Sequence, residues 1–149
     1  MYYVQNFDTV AAVTSRPDLH AQLADLALLV QGVRERNARR HDLSPSLARL
    51  LSLLGGRAPT VNELATLLGL DKSSASGLID RAQRRGLVRR VPSQLDRRSV
   101  RVRLTKQGSD LSEALSSSFA KGVADLLDPL PDEDRQTLSA SLSAVLSAR

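Results

Sequence analysis

Apolar residues recur every three or four positions through most of this chain, which is the spacing of one face of an α-helix. A first helix is predicted from near Asp18, and its apolar stripe consists of Leu19, Leu23, Leu26, Val30 and Val33. A second is predicted after Ser44 and Pro45, because serine caps a helix well and proline fits the first helical position. Leucines at helical spacing follow, and two consecutive glycines from Gly55 end this helix.

Two further helices are predicted close together in the sequence. Thr60 and Glu63 have the spacing of a capping box, and Gly69 ends the helix that they begin. Asp71 then caps the next helix, which runs to Gly86 with apolar residues again three and four positions apart. Two helices joined by such a tight turn are a helix-turn-helix candidate.

After Gly86 the apolar pattern changes from a helical period to a period of two. Residues 87–91 are rich in branched side chains, and in residues 99–104 valine or leucine alternates strictly with arginine. Both patterns predict strands, and the polar, basic residues 92–98 predict the loop of a β-hairpin between them. A helix-turn-helix followed directly by a hairpin is the order of elements in a winged helix.

The last third of the chain returns to helical spacing. Thr105 is the predicted N-cap of a long helix, whose main apolar stripe consists of Leu111, Leu115, Phe119, Val123 and Leu126. Asp128 and Pro129 break that helix, and the acidic residues after Pro131 begin the last one, where the helix dipole favours negative charge. The sequence therefore predicts a mainly α fold with a small β-hairpin wing. It divides into an N-terminal arm and helix (1–42), a winged helix-turn-helix domain (43–106) and C-terminal helices (107–149).

Positive charge is concentrated in the central third of the chain. The whole sequence has a net charge of +5. Residues 57–106 contain 12 basic and 4 acidic residues, a net charge of +8, whereas residues 1–56 carry +1 and residues 107–149 carry −4. Concentrated positive charge beside a binding fold suits a polyanion, and a merely solvated basic face is the alternative.

The composition excludes or disfavours several classes of function. There is no cysteine, which excludes disulfides, thiolate catalysis and a cysteine redox sensor. The two histidines, His20 and His41, have neither metal-ligand nor catalytic-triad spacing, and no phosphate-binding glycine loop is present, so we expect no enzyme activity and no cofactor. With only four aromatic residues, binding of RNA or single-stranded DNA is disfavoured. The first 16 residues do not resemble a secretory signal and no apolar run approaches ~18 residues, so a cytoplasmic location and no membrane contact are expected.

Several short motifs between residues 60 and 108 occur in a characteristic order. They are Thr60-Val61-Asn62-Glu63-Leu64-Ala65, Gly69-Leu70, Ser73-Ser74-Ala75-Ser76, Leu78-Ile79-Asp80-Arg81, Gly86-Leu87-Val88, Asp96-Arg97-Arg98 and Leu104-Thr105-Lys106-Gln107-Gly108. In this order they resemble the MarR family of transcriptional regulators. The most specific part is the wing, where Asp96 and Arg98 precede the alternating strand and the Leu-Thr-x-x-Gly helix start. Ala82 departs from the family pattern, which usually has a larger apolar residue there.

The resemblance implies that residues 71–85 form a recognition helix in the major groove of double-stranded DNA. The candidates for contact with base edges and phosphates lie at its start: Lys72, Ser73, Ser74 and Ser76. An alternative is that Ser73 and Ser74 are simply well tolerated in a first helical turn. Arg81 is a further candidate for phosphate contact, or else it braces the fold internally. Arg90 is a candidate for reinforcing contact with the DNA backbone, and the alternative for it is simple solvation on the wing.

At the tip of the predicted wing, the resemblance implies that Arg98 enters the minor groove. Asp96 is expected to pair with Arg98 and fix its direction, and Arg97 is expected to reach a phosphate. The alternative is a solvated surface ion pair of little energetic value.

The resemblance also implies a homodimer that binds a palindromic operator. A twofold dimer reads two half-sites ~34–36 Å apart, and the apolar terminal helices exceed what a central domain of about 50 residues can cover. The alternative is a monomer whose terminal helices fold back on the core. Three aromatic residues near the N-terminus, Tyr2, Tyr3 and Phe7, suggest an arm that packs on a partner subunit, or else a partly disordered terminus.

Members of the resembling family are often repressors released by a small ligand, commonly an aromatic acid, bound between the DNA-binding and dimerisation lobes. A repressor of this kind is therefore expected, with Arg16, His20, His41 and Arg49 as residues that could reach such a cleft. The rival interpretation is a winged helix used for contact between proteins, without specific DNA binding, which predicts no salt-dependent affinity for DNA.

Overall fold

The computed structural model describes residues 18–92 and 100–148, and within them the chain forms six helices and one two-stranded sheet. The elements are α1 (Leu19–Arg40), α2 (Pro45–Leu54), α3 (Val61–Leu68), α4 (Lys72–Arg84), β1 (Val88–Pro92), β2 (Val100–Leu104), α5 (Lys106–Leu127) and α6 (Asp132–Ser147). The mainly helical winged helix-turn-helix predicted from the sequence is confirmed. The predicted arm, residues 1–16, and most of the hairpin loop lie outside the described residues.

Each of the first five helices begins at a polar side chain that caps its N-terminus. The caps are Asp18, Ser44, Thr60, Asp71 and Thr105. At α3 the capping box is complete, because Thr60 also donates its backbone N–H to the Glu63 carboxylate at 2.6 Å. That hydrogen bond lowers the pKa of Glu63. The positions of these helices therefore follow from local side-chain chemistry, as the sequence predicts.

The two strands pair antiparallel, with Val88 opposite Leu104 and Pro92 opposite Val100. Strand β1 begins and ends one residue later than the predicted strand 87–91, so it includes Pro92; proline is tolerated here because it lies at a strand end of a two-stranded sheet. On its other side β2 touches the segment that precedes α3: the Val102 N–H donates to the Pro59 carbonyl at 2.9 Å. This contact joins the hairpin to the start of the helix-turn-helix, and it is not visible in the sequence pattern.

The core of the winged domain is built around α2. Leu50 and Leu51 are completely buried and Leu54 almost so, and they pack against α3, α4, α5 and β2. Further buried side chains come from those elements and from β1: Leu64, Leu78, Ile79, Val88, Val102 and Leu115. The last of these belongs to α5, so the N-terminal part of α5 is part of the same core and holds the domain to the longer helices.

The long helices α1 and α5 pack on each other around a buried polar contact. Asn37 donates its side-chain amide to the Leu115 carbonyl at 2.8 Å and accepts from the Ser118 hydroxyl at 2.5 Å. The predicted apolar stripe of α5 is only half-buried beyond Leu115. No residue of α6 is buried, so α6 does not fold back on the core.

Among the helices of residues 18–92 and 100–148, none has the length and apolar character needed to cross a membrane.

Candidate nucleic-acid interface

The turn between α3 and α4 is made by Gly69, Leu70 and Asp71. Gly69 has a φ of +67°, a left-handed conformation that costs glycine little. The N–H groups of Gly69 and Leu70 donate to the carbonyls of Thr66 and Ala65, which closes the end of α3. Helix α4, the recognition helix predicted from the sequence, then begins immediately after Asp71, so the two helices form the expected helix-turn-helix.

The recognition helix has one buried face and one exposed face. Its buried face consists of Ala75, Leu78, Ile79 and Ala82. Ala82, the small residue that departs from the family pattern, is completely buried against the core. Outside this face, the side chains of Lys72, Ser73, Ser74 and Arg81 are exposed. Four of the predicted DNA-contacting residues are therefore accessible on the helix surface, Ser73 opposite the buried face and the others around the sides.

The first turn of the recognition helix is held by the carboxylate of Asp71. It accepts the hydroxyl protons of Ser73 and Ser74, each at 2.6 Å, and the backbone N–H of Ser74 at 2.9 Å. The two hydroxyls and the backbone donor hold the pKa of Asp71 well below its usual range. Both serine protons are thus used within the protein, whereas the serine oxygens remain available as acceptors. The spacing Asp-x-Ser-Ser at the start of a predicted helix could have indicated that the aspartate binds both serine hydroxyls.

Two basic residues of the central region brace the fold instead of projecting freely. Arg85 donates to the Asp42 carbonyl at 2.9 Å and ties the end of α4 to the turn before α2. Arg101 in β2 is half-buried and donates to the Ala58 carbonyl at 2.7 Å. Arg84 and Arg85 are both exposed.

Arg90 in β1 is directed toward the recognition helix. Its Nη1 donates to the Asp80 carboxylate at 2.6 Å and to the Gln83 side-chain oxygen at 2.9 Å, and its Nη2 reaches the Ser76 hydroxyl at 3.4 Å. The structure therefore brings Arg90 and Ser76, two predicted DNA-contacting residues, together with Asp80. The sequence pattern gives no sign of this grouping, because residues 76 and 90 belong to different elements.

The outer face of the hairpin carries two arginines side by side. Arg89 and Arg103 are directly opposite each other across the strands, and both are exposed. Like charges in opposite positions on one face of a sheet repel each other. An anion bound between or over them would relieve that repulsion. The predicted wing-tip residues Asp96, Arg97 and Arg98 lie outside the described residues.

A cleft of about 750 Å³ lies between α1, α2 and α5. Arg34, Arg49 and Phe119 are among the residues that line it, and the guanidinium of Arg34 stands 4.6 Å from the centre of the Phe119 ring. Arg49, one of the residues considered for a ligand cleft, also donates to the Leu67 carbonyl at 3.0 Å. The sequence analysis missed Arg34 and Phe119, because only the packing of α1 on α5 places them together.

The other residues considered for this cleft lie elsewhere. His41 is within hydrogen-bond distance of the Ser118 hydroxyl, at 3.3 Å, and does not line the cleft. His20 is exposed at the start of α1, 3.0 Å from Asp18. Arg16 lies outside the described residues.

Comparison with known proteins agrees with this architecture. Residues 41–99 match the model of the MarR family. The HTH-type transcriptional regulator PecS of Dickeya dadantii (strain 3937) is 27% identical over 141 residues, which cover 87% of this chain and 85% of PecS. The HTH-type transcriptional regulator YfiV of Bacillus subtilis (strain 168) is 31% identical over 108 residues, which cover 72% of this chain and 68% of YfiV.

Solved structures share the fold. Apo MarR from E. coli superposes with a TM-score of 0.78 at 21% identity, covering 89% of this chain and 99% of that protein. A variant of S. aureus MepR bound to an oligodeoxyribonucleotide gives a TM-score of 0.64, also at 21% identity, and the same coverage. At such identities the likeness concerns the fold alone, and the match to the family model and to YfiV carries the assignment. The chain belongs to the MarR family of winged helix-turn-helix transcriptional regulators.

Proposed function

We propose that this protein is a sequence-specific regulator that binds double-stranded DNA as a homodimer. It acts as a repressor, and a small acidic ligand weakens its affinity for a palindromic operator. The recognition helix would lie in the major groove and the wing would follow the adjacent minor groove. The observation that carries the proposal is the set of exposed polar side chains on the recognition helix beside a hairpin whose Arg89 and Arg103 are both exposed.

Electrostatics support DNA as the partner. The region 57–106 has a net charge of +8, whereas the C-terminal 43 residues are acidic and would stay away from the phosphates. The cross-strand pair Arg89 and Arg103 is repulsive in the free protein, and phosphate groups would make it favourable. A contact surface for another protein would need no such pair.

Individual residues would then have distinct roles at the interface. Lys72 and Arg81, both exposed, would contact phosphates. Ser73 and Ser74 would accept hydrogen bonds from base amino groups, since Asp71 already takes their protons. At the wing tip Arg98 would enter the minor groove with Asp96 orienting it, and Arg97 would contact the backbone.

The terminal helices support a homodimer. Large apolar side chains of α1 and α6 are exposed; the most exposed are Leu28 at 70%, Leu146 at 69%, Leu19 at 63% and Val145 at 62%. Burial of such side chains contributes about 25 cal/mol per Å² of apolar surface. Because α6 buries none of its residues within the monomer, a second copy of the chain is the simplest cover for these faces.

The cleft between α1, α2 and α5 supports regulation by a ligand. Its size lies within the ordinary range for small-molecule sites, ~300–1,000 Å³. Phe119 offers a ring surface, and the guanidinium of Arg34 offers a positive charge for a carboxylate. The cleft adjoins both the long helices and the core of the winged domain. A ligand that prefers one spacing of the two recognition helices would weaken operator binding by its differential affinity for the two states.

Salt-dependent DNA binding tests the central part of the proposal. An operator is selected from random duplexes with the wild-type protein, and its affinity is measured by fluorescence anisotropy between low and moderate salt. Affinity is expected to fall steeply with salt, because phosphate contacts release counterions. Arg98→Ala is expected to weaken binding at least about tenfold, whereas Lys121→Ala, which removes the same charge from exposed α5, leaves binding nearly unchanged. A flat salt response would contradict DNA binding and favour a protein–protein module.

Sedimentation tests the dimer separately. The wild-type protein is expected to be dimeric at micromolar concentration in analytical ultracentrifugation. Leu146→Asp in α6 should shift the equilibrium toward monomer, because it places a charge on the apolar face. Leu67→Asp, a change at an exposed leucine of α3, is the matched control and should leave the dimer intact. A monomeric wild-type protein would refute this part of the proposal.

A further inference from the structure

We infer that Arg90 is a positioning residue that fixes the wing against the recognition helix, with Asp80 as its main partner, and that it does not contact DNA phosphates. The inference rests on the proposed DNA binding for its functional meaning. It concerns how the two DNA-reading elements are held in one arrangement, which the proposed function leaves open.

The partners of Arg90 form a single row on the recognition helix. Ser76, Asp80 and Gln83 are spaced i, i+4 and i+7, which places them on one line along the helix. Arg90 contacts all three, at 3.4 Å, 2.6 Å and 2.9 Å respectively. A guanidinium that spans two helical turns resists both rotation and sliding of the strand relative to the helix.

The hairpin needs such a contact because it is small. An isolated two-stranded hairpin is only marginally stable in water. Strand β1 is anchored at the hairpin base by the buried side chain of Val88, and β2 is anchored by that of Val102, which lies opposite Arg90. Arg90 lies farther along β1 than Val88, and it is the outermost residue of β1 for which a side-chain contact with the recognition helix is seen within the described part of the chain.

The other strand is held in a comparable way. Arg101 of β2 donates to the Ala58 carbonyl at 2.7 Å, in the segment that leads into α3. Each strand of the wing is thus held by one arginine, β1 to the recognition helix and β2 to the segment before α3. Small rotations at the hairpin base would move its distal end by larger distances. The contacts of Arg90 and Arg101 therefore control where the wing would meet the minor groove of the DNA.

Electrostatics argue against a phosphate role for Arg90. Its side chain is 30% exposed, and its partner Asp80 is 51% exposed on the recognition helix. A carboxylate on a helix that lies in the major groove is repelled by the phosphates unless a cation neutralises it. If Arg90 turned to a phosphate, it would leave Asp80 unneutralised beside the same polyanion.

The two roles predict opposite effects of Asp80→Asn. If Arg90 contacts phosphate, this change frees the guanidinium and removes a negative charge near DNA, so affinity should rise. If Arg90 positions the wing, the change loosens the wing, and affinity for the selected operator should fall about tenfold relative to a shuffled duplex. Arg90→Gln should have a similar effect, and the double variant should be no worse than either single variant.

Hydrogen exchange in the absence of DNA measures how far the contact between Arg90 and the recognition helix protects the wing. In the free protein, backbone amides of β1 and β2 are expected to exchange several-fold faster in Asp80→Asn and Arg90→Gln than in wild type. Arg89→Gln is the charge-matched control on the adjacent residue, whose exposed side chain faces away from the recognition helix, and it should leave that exchange unchanged. Arg90→Lys, which keeps the ion pair with Asp80, should restore part of the protection.

The outcomes separate the inference from the proposed function. Unchanged wing exchange in Asp80→Asn, or tighter operator binding by that variant, would overturn the positioning role even if the wild-type protein binds DNA as proposed. A decrease of about one in the salt slope of Arg90→Gln, with Asp80→Asn binding normally, would also overturn it by showing a phosphate contact. Failure of the wild-type protein to bind any duplex would refute the proposed function, while the exchange measurements would still decide whether Arg90 holds the wing.

Discussion

Gly108 permits a close approach between α5 and the backbone of Leu87. It is buried in the first turn of α5, and a Cβ added there would overlap the Leu87 carbonyl oxygen and lie 2.9 Å from the Leu87 carbonyl carbon. That oxygen also accepts the backbone N–H of Thr105 at 3.1 Å, so it cannot withdraw without losing a hydrogen bond. Gly108→Ala therefore forces α5 away from the turn between α4 and β1.

The expected cost can be estimated from three contributions. Overpacking of a well-packed site costs about 1–3 kcal/mol. Loss or weakening of the Thr105 hydrogen bond adds about 1 kcal/mol. Alanine is favoured over glycine within a helix by about 1 kcal/mol, which offsets the second contribution. Gly108→Ala is thus expected to lower the free energy of unfolding by about 2 kcal/mol.

Urea unfolding followed by circular dichroism, at a fixed protein concentration, measures this change. With a denaturant dependence of about 1–3 kcal/mol per M, the midpoint should fall by roughly 1 M. Gly77→Ala in the recognition helix is the matched control, because an added Cβ there would make only an ordinary contact with Arg81 at 3.7 Å. That variant should gain stability from helix propensity alone. If Gly108→Ala unfolded at the wild-type urea concentration or above, the close packing of α5 on Leu87 would be wrong.

Two further predictions concern the core and the first turn of the recognition helix. Leu50→Ala should lower the free energy of unfolding by about 3 kcal/mol, because Leu50 is completely buried; Leu67→Ala, at an exposed leucine, should change it little, and equal effects in urea unfolding would contradict the assigned core. The pKa of Asp71 is lower in the folded than in the unfolded chain, so its stabilising effect is complete above pH ~4 and is lost as the pH falls further. Asp71→Asn should therefore flatten the dependence of the unfolding free energy on pH below pH ~4, measured by urea unfolding at a series of pH values, and an unchanged acid dependence would show that the carboxylate does not act this way.

The residues that end and begin helices could be read from the sequence. Ser44, Thr60 and Thr105 cap the helices that the sequence assigns to them, and Gly69 ends α3 as predicted, in a left-handed conformation. These features depend on hydrogen bonds between residues two to four positions apart and on the backbone angles of single residues. The same short range explains why the helix-turn-helix, the hairpin and the family resemblance were recognisable without coordinates.

The partners of the long basic side chains could not be read from the sequence. Arg101 occupies an arginine position in the alternating pattern of β2, and Arg90 is one of two adjacent arginines in β1, yet they contact the Ala58 carbonyl and Asp80. Likewise Arg34 belongs to a basic run at the end of α1, and only the packing of α1 on α5 sets it over Phe119. A flexible charged side chain has many surface partners of similar free energy. The choice among them is made by the positions of elements distant in sequence, and those positions exist only once the core around α2 has formed.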